Sequence, residues 1–105
     1  MTHPARGEIW WGETPDAKGR PYLVLTRNEA IPVLDTLLVA PVTRTVRQIP
    51  TEVRLGPDEG LPIECAAAFD ATTVFPRSML ARRVGALSPI RMHELCDALA
   101  AATDC

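Results

Sequence analysis

Three short stretches place side chains that bind phosphate oxygens and sugar hydroxyls at the ends of apolar runs. Arg20 stands in Gly19-Arg20-Pro21, just ahead of Tyr22-Leu23-Val24-Leu25. Thr43 closes Val39-Ala40-Pro41-Val42-Thr43, and Arg44, Arg47 and Gln48 fill the connection to Pro50-Thr51. A guanidinium offers a planar fork of donors matched to phosphate, and a threonine hydroxyl both donates and accepts. Set at strand ends, such groups are fixed by a rigid backbone and still reach solvent. Arg27, at the far end of the same apolar run, is a further candidate for substrate contact.

Other chemistries lack their residues. There is no GxxxxGK[ST] or GxGxxG loop to cradle phosphates, no GxSxG, no HExxH and no carboxylate cluster with metal-ligand spacing. The three cysteines, Cys65, Cys96 and Cys105, cannot all pair within one chain and form no CxxC, which excludes a disulfide scaffold and a zinc site. His3 sits in an amino-terminal tail and His93 one residue off the apolar stripe of the last segment, so both read as surface histidines. No metal and no cofactor is expected.

The chain has 105 residues with 47% apolar and 23% charged residues, the composition of one folded domain spanning 1–105. The net charge of −2 argues against a broad basic surface for duplex DNA, but leaves room for a local basic groove. Ten of the eleven basic residues are arginines, a bias that a GC-rich genome also produces. No apolar run approaches the ~20 residues of a membrane span, and Met1-Thr2-His3-Pro4-Ala5-Arg6 lacks the apolar core of a signal peptide. A cytoplasmic protein that does not touch the membrane is expected.

Ten prolines and six glycines cut the chain into pieces mostly too short for helices, which predicts a mostly β domain. Gly7 to Gly12 reads as a strand, Glu13 to Gly19 as a loop, and Arg20 to Thr26 as a strand buried on both faces. Asp35 to Thr43 repeats that character, with Pro41 predicting that pairing stops or bulges near its end. In Thr51 to Leu55 the alternation puts Val53 and Leu55 in the core and turns Glu52 and Arg54 to water. Glu64 to Asp70 reads as a strand. Its Ala66-Ala67-Ala68 either admits close approach of another subunit or fills a tight spot in the core. A last strand falls within Met79 to Leu87. The final segment predicts an amphipathic helix capped by Ser88, with Pro89 at its first position and Met92, Leu95, Cys96, Leu99 and Ala102 on the buried stripe.

In order and spacing, these segments resemble the MazF/PemK family of toxin endoribonucleases. Gly7-Glu8-Ile9-Trp10 resembles the family's opening, Gly19-Arg20-Pro21 its "xRP" and Val39 to Thr43 its "VAPIT". Ile49-Pro50-Thr51-Glu52-Val53 resembles its "hPTxV", Gly60-Leu61-Pro62 a family turn, and Arg82 to Ser88 the lead into the terminal helix. The resemblance runs from about Gly7 to Leu99. It implies a small SH3-like barrel of strongly bent antiparallel strands with short helices and a carboxy-terminal amphipathic helix, assembled as a homodimer. It also implies cleavage of single-stranded RNA at short sequences without a metal, neutralisation by a cognate antitoxin with an acidic inhibitory segment, and Arg20 and Thr43 as the catalytic residues.

The implied chemistry suits these residues. Metal-free cleavage uses the ribose 2′-OH as nucleophile and leaves a 2′,3′-cyclic phosphate and a 5′-OH. The charge gathering on the phosphoryl oxygens is stabilised by a guanidinium and a hydroxyl. Arg20 fits as electrostatic stabiliser or proton donor, and Glu13 or Asp16 in the adjacent loop is the candidate general base. Arg44, Arg47 and Gln48 are candidate substrate contacts. The loop before Arg20 is about five residues shorter than in typical members and lacks their "SEQ" stretch. Thr72 stands where members carry an arginine, with Arg77 a candidate replacement, and Asp70 either reads a base N–H or caps a turn. Two rival readings keep the fold: a CcdB-like toxin that binds gyrase, whose Trp-Gly-Ile ending is replaced here by Ala102-Thr103-Asp104-Cys105, and an SH3-like binding module without activity.

Overall fold

The computed structural model describes residues 3–104. Met1, Thr2 and Cys105, on which part of the amino-terminal reading and the third cysteine fall, lie outside the described residues. Seven antiparallel strands form a curled half-barrel: β1 (Glu8–Thr14), β2 (Ala17–Val24), β3 (Thr36–Thr43), β4 (Glu52–Leu55), β5 (Cys65–Ala68), β6 (Thr73–Pro76) and β7 (Leu80–Ala86). A single α-helix among the described residues, α1 (Met92–Ala102), follows. The strand order is β4-β5-β3-β2-β1-β7, with β6 paired to β3 off this path.

The bend is built into β3. Its first half pairs with β6 through Thr36–Val39, its second half pairs with β5 through Val42 and Thr43, and on the other side its middle, Val39 to Pro41, pairs with β2. Pro41 lies where the partner changes. Having no N–H to give, it pairs with Tyr22 on the β2 side and coincides with the break in the ladder on the other. The expected interruption near Pro41 is therefore a change of partner.

Because side chains alternate across a strand, the curled sheet buries both faces. Ile9, Leu23, Ala40, Val42, Val53 and Leu55 join Phe69, Leu87, Leu95 and Ala98 in one core. Trp10, Tyr22, Val24, Leu37, Val39, Phe75 and Leu80 form the second on the opposite side. The double burial read from the apolar run of β2 is present, and Val53 and Leu55 face inward as their alternation predicts.

Four expectations are corrected. Glu13 to Gly19 is a hairpin with a turn only at Pro15-Asp16, because the polar residues on either side pair as the ends of β1 and β2. The segment after β5 contributes a further strand, β6. Ser88 makes no side-chain cap: Pro89–Arg91 forms a 3-10 turn and α1 starts at Met92. Met92, Leu95, Leu99 and Ala102 pack on the core as expected, with Ala98 between them, but Cys96 falls outside the stripe and is exposed, with the Arg6 guanidinium 3.9 Å from its sulfur. Of the two readings of the alanines, the tight spot in the core is the one present: Ala66 and Ala67 are fully buried between β4 and β3.

Candidate active-site groove

Where β2 and β3 leave the core together, their ends open into a groove of about 820 Å³. The β2–β3 register pairs Tyr22 with Pro41, and continuing it two residues brings Arg20 opposite Thr43. The Arg20 guanidinium donates to the Val42 carbonyl at 3.2 Å, which fixes its reach while leaving its remaining donors unpaired. Thr43 Oγ1 accepts the Thr45 N–H at 3.2 Å, so the hydroxyl proton is left to donate. Arg20, Thr43 and Arg44 all line the groove, bringing together three of the sequence-predicted residues.

The far wall is the segment Gly60–Ile63, with Val84, Arg82 and Arg83 of β7 beside it. This wall stands against β7 with no clearance: a Cβ on Gly85 would overlap the Glu59 carbonyl oxygen. Gly60 turns the chain at φ 96°, a left-handed conformation that favours glycine. From the helix side Arg91 holds the wall in place, donating to Glu59 Oε2 at 2.9 Å and to the Arg54 carbonyl at 2.7 Å. Glu59 in turn accepts the Gly56 N–H at 2.7 Å, and Arg54 pairs with Glu64. Cys65 lies beneath the groove. Burial pushes its thiol up, the Glu59 charge adds to the shift, and it stays a neutral thiol whose S–H points to the Leu55 carbonyl.

The other predicted residues sit elsewhere. The backbone N–H groups of Arg47 and Gln48 donate to Glu52 Oε1 at 2.8 and 3.2 Å, and neither residue lines the groove. Glu52 is therefore a correction to the alternation: its side chain is only 2% exposed, turned under the loop instead of out to water. Gln48 adopts φ 56°, which shapes the loop around that carboxylate. Arg27 is exposed at the end of β2, away from Arg20. Arg77 donates to the Ile31 carbonyl at 2.8 Å and faces a second cavity beside Asp35 and Thr36, so it does not stand in for the family arginine in this groove. Thr72 closes its own turn on the Phe69 carbonyl, and Asp70 accepts the Thr51 hydroxyl at 2.6 Å.

Glu13 and Asp16 are exposed at the hairpin tip, and the residues lining the groove include no carboxylate or imidazole. Among the described residues no group of three His, Cys, Asp or Glu side chains is arranged to hold a metal, and no helix is long and apolar enough to cross a membrane.

Two groove residues escaped the sequence reading. Trp11 and Arg82 meet on the groove side, the guanidinium 5.3 Å from the ring centroid. A signal existed: Trp10 and Trp11 are adjacent in a strand and must point to opposite faces.

The antiparallel half-barrel with its basic groove is matched by a family of small toxins. The model of the family described as the PemK-like, MazF-like toxin of type II toxin–antitoxin systems matches residues 5–103, and the chain belongs to that family. The chain is 43% identical over 103 residues to the probable endoribonuclease MazF5 of Mycobacterium tuberculosis, covering 97% of this chain and 94% of that protein. Among solved structures, the Mycobacterium tuberculosis toxin MazF-mt6 superposes with a TM-score of 0.84 at 34% identity, over 92% of this chain and 96% of that one. An endoribonuclease in complex with its cognate antitoxin, from a mycobacterial species, gives 0.80 at 25% identity, over 94% and 93%.

Proposed function

We propose that this chain is the toxin of a type II toxin–antitoxin pair, a cytoplasmic endoribonuclease that acts as one domain and cuts single-stranded RNA at a short sequence without a metal. The observation that carries the reading is Arg20 opposite Thr43 at the groove mouth, both with donors free to point at a phosphate. The ribose 2′-OH gives its proton to water and attacks the adjacent phosphorus, a 2′,3′-cyclic phosphate forms, the bond to the 5′ oxygen of the next nucleotide breaks, and that oxygen takes up a proton to leave as a 5′-OH. Arg20 and Thr43 stabilise the charge that gathers on the phosphoryl oxygens. Arg44 at the same mouth draws the RNA backbone in.

The relative solved with its cognate antitoxin supports an antitoxin here too. An acidic antitoxin segment would compete with RNA for Arg20 and Arg44. The active form is a homodimer.

Incubating the purified protein with a long defined RNA in EDTA and mapping the 5′ ends tests the reading. Discrete cuts bearing a 5′-OH support it. An RNA left intact across several long substrates overturns it and favours gyrase binding on the same fold.

A further inference from the structure

We propose that Trp11 is a nucleobase-stacking platform that fixes one nucleotide of the RNA beside the cleavage site, an inference that rests on the endoribonuclease reading above. Trp10 and Trp11 are neighbours in β1 with opposite fates. Trp10 is buried, and its indole N–H donates to Glu8 Oε1 at 3.0 Å. Trp11 lines the groove and keeps its N–H accessible, with no hydrogen bond among the described residues.

The ring is held as a flat surface. It lies against the backbone of Gly19, where a Cβ would come within 2.5 Å of three ring atoms, so any larger residue would lift it. Gly19 immediately precedes Arg20, which ties the position of the ring to that of the catalytic guanidinium. On the groove side, the exposed Arg82 guanidinium sits 5.3 Å from the ring centroid. That gap is too narrow to admit a base between them, so a base must take the place of Arg82 over the ring.

The exchange is favourable. A cation–π contact at an exposed site is weaker than a base stacked on an aromatic ring. Once displaced, Arg82 keeps its charge at the groove rim, beside the phosphate that follows the stacked base. A stacking ring accepts every base through its π-face, and the accessible indole N–H supplies a directional contact at the ring's edge.

The test uses a short single-stranded RNA centred on the mapped cleavage site, with 2′-deoxyribose at that nucleotide so that it binds without being cut. Titrating it into the intact protein should quench tryptophan fluorescence. Abasic substitutions along the RNA should reveal one position where affinity falls about 5- to 150-fold, the equivalent of roughly 1–3 kcal/mol. Trp11→Leu should weaken the unsubstituted RNA by a similar factor, abolish the quench and remove the penalty of the abasic position. Trp11→Phe should restore most of the affinity. The abasic scan needs no variant, so it decides the matter even where Trp11→Leu folds poorly. An RNA that binds and is cut with no abasic-sensitive position and no quench would overturn the platform and leave the endoribonuclease reading intact. A protein that neither binds nor cuts RNA would overturn both.

Discussion

The Arg20 guanidinium is tethered to the Val42 carbonyl, one residue from Thr43, two residues beyond the last paired residues of β2 and β3, Tyr22 and Pro41. The tether means that the cation is preorganised by the strand that also carries the hydroxyl. Arg20→Ala should slow RNA cleavage by ~10²–10³, the usual loss for one preorganised donor in a transition state. Thr43→Ala should lose less, since a neutral hydroxyl forms a weaker hydrogen bond than a charged group. Both variants should keep the melting temperature within a few degrees, because Arg20 is exposed and Thr43 only half-buried. Single-turnover cleavage of a defined RNA, with melting curves alongside, measures both quantities. Full activity in a folded Arg20→Ala protein would remove Arg20 from the site.

Glu52 holds the Arg44–Pro50 loop from below through its bonds to the Arg47 and Gln48 N–H groups. Charge-assisted bonds of this kind contribute about 1.5–3 kcal/mol. Glu52→Ala should therefore lower unfolding free energy by a comparable amount in urea. It should also raise amide hydrogen exchange at Arg47 and Gln48 above that of the β2 core. Unchanged exchange at those two amides would mean the loop is held by something else.

Two glycines give a matched pair. Gly85→Ala should destabilise the protein by about 1–3 kcal/mol, the usual range for overpacking, and should weaken RNA cleavage, since the Glu59–Gly60 wall must retreat. At Gly56 the nearest atom to an added Cβ is 3.9 Å away and φ is −174°, so Gly56→Ala should change stability little. Urea denaturation of both proteins makes the comparison, and equal losses would contradict the zero-clearance contact.

Acid should weaken the wall through Glu94. Its two hydrogen bonds from Arg91, at 2.8 Å each, hold the carboxyl below its ordinary range; partial burial opposes this and the Arg91 charge assists. A carboxyl depressed in the folded state stabilises the fold at pH above its unfolded value of ~4.3. That stability is lost as pH falls through the folded value. Because the side chain is 37% exposed, solvent screening keeps the contribution small. Glu94→Gln should flatten the acid limb of a stability-versus-pH curve below about pH 4.5. A limb of unchanged steepness would assign acid sensitivity to other carboxyls.

Much of this was legible in the sequence wherever burial sets the pattern. The alternation of Val53 and Leu55 and the unbroken apolar runs of β2 and β3 report the two cores directly. Thr43 was legible because its strand shows as an apolar run that stops at a polar residue, and Arg20 because it stands where the apolar run of β2 begins, although the strand itself starts at Ala17. The hairpin tip was not, since Glu13 to Gly19 is held by backbone pairing, which leaves no apolar trace. Glu52 was misread because its burial comes from two backbone N–H groups of a loop, a polar reason for facing inward that alternation cannot register. In the last helix the period and phase were legible, since Met92, Leu95, Leu99 and Ala102 pack on the core; Cys96 was misplaced because the buried stripe centres on Leu95 and Ala98 and leaves Cys96 at its exposed edge.

The pairing of β1 with β7 sets a timetable for the chain as it is made. Glu8 lies opposite Ala86, and Arg82 to Val84 line the same groove as Arg20, so the first strand, already paired with β2, gains its second neighbour only from the last strand. A nascent chain that has passed Thr43 already carries its arginine and threonine, but the Gly60–Ile63 wall has no β7 to stand against until β7 has left the ribosome. For an endoribonuclease, this order delays the complete groove until β7 has been made.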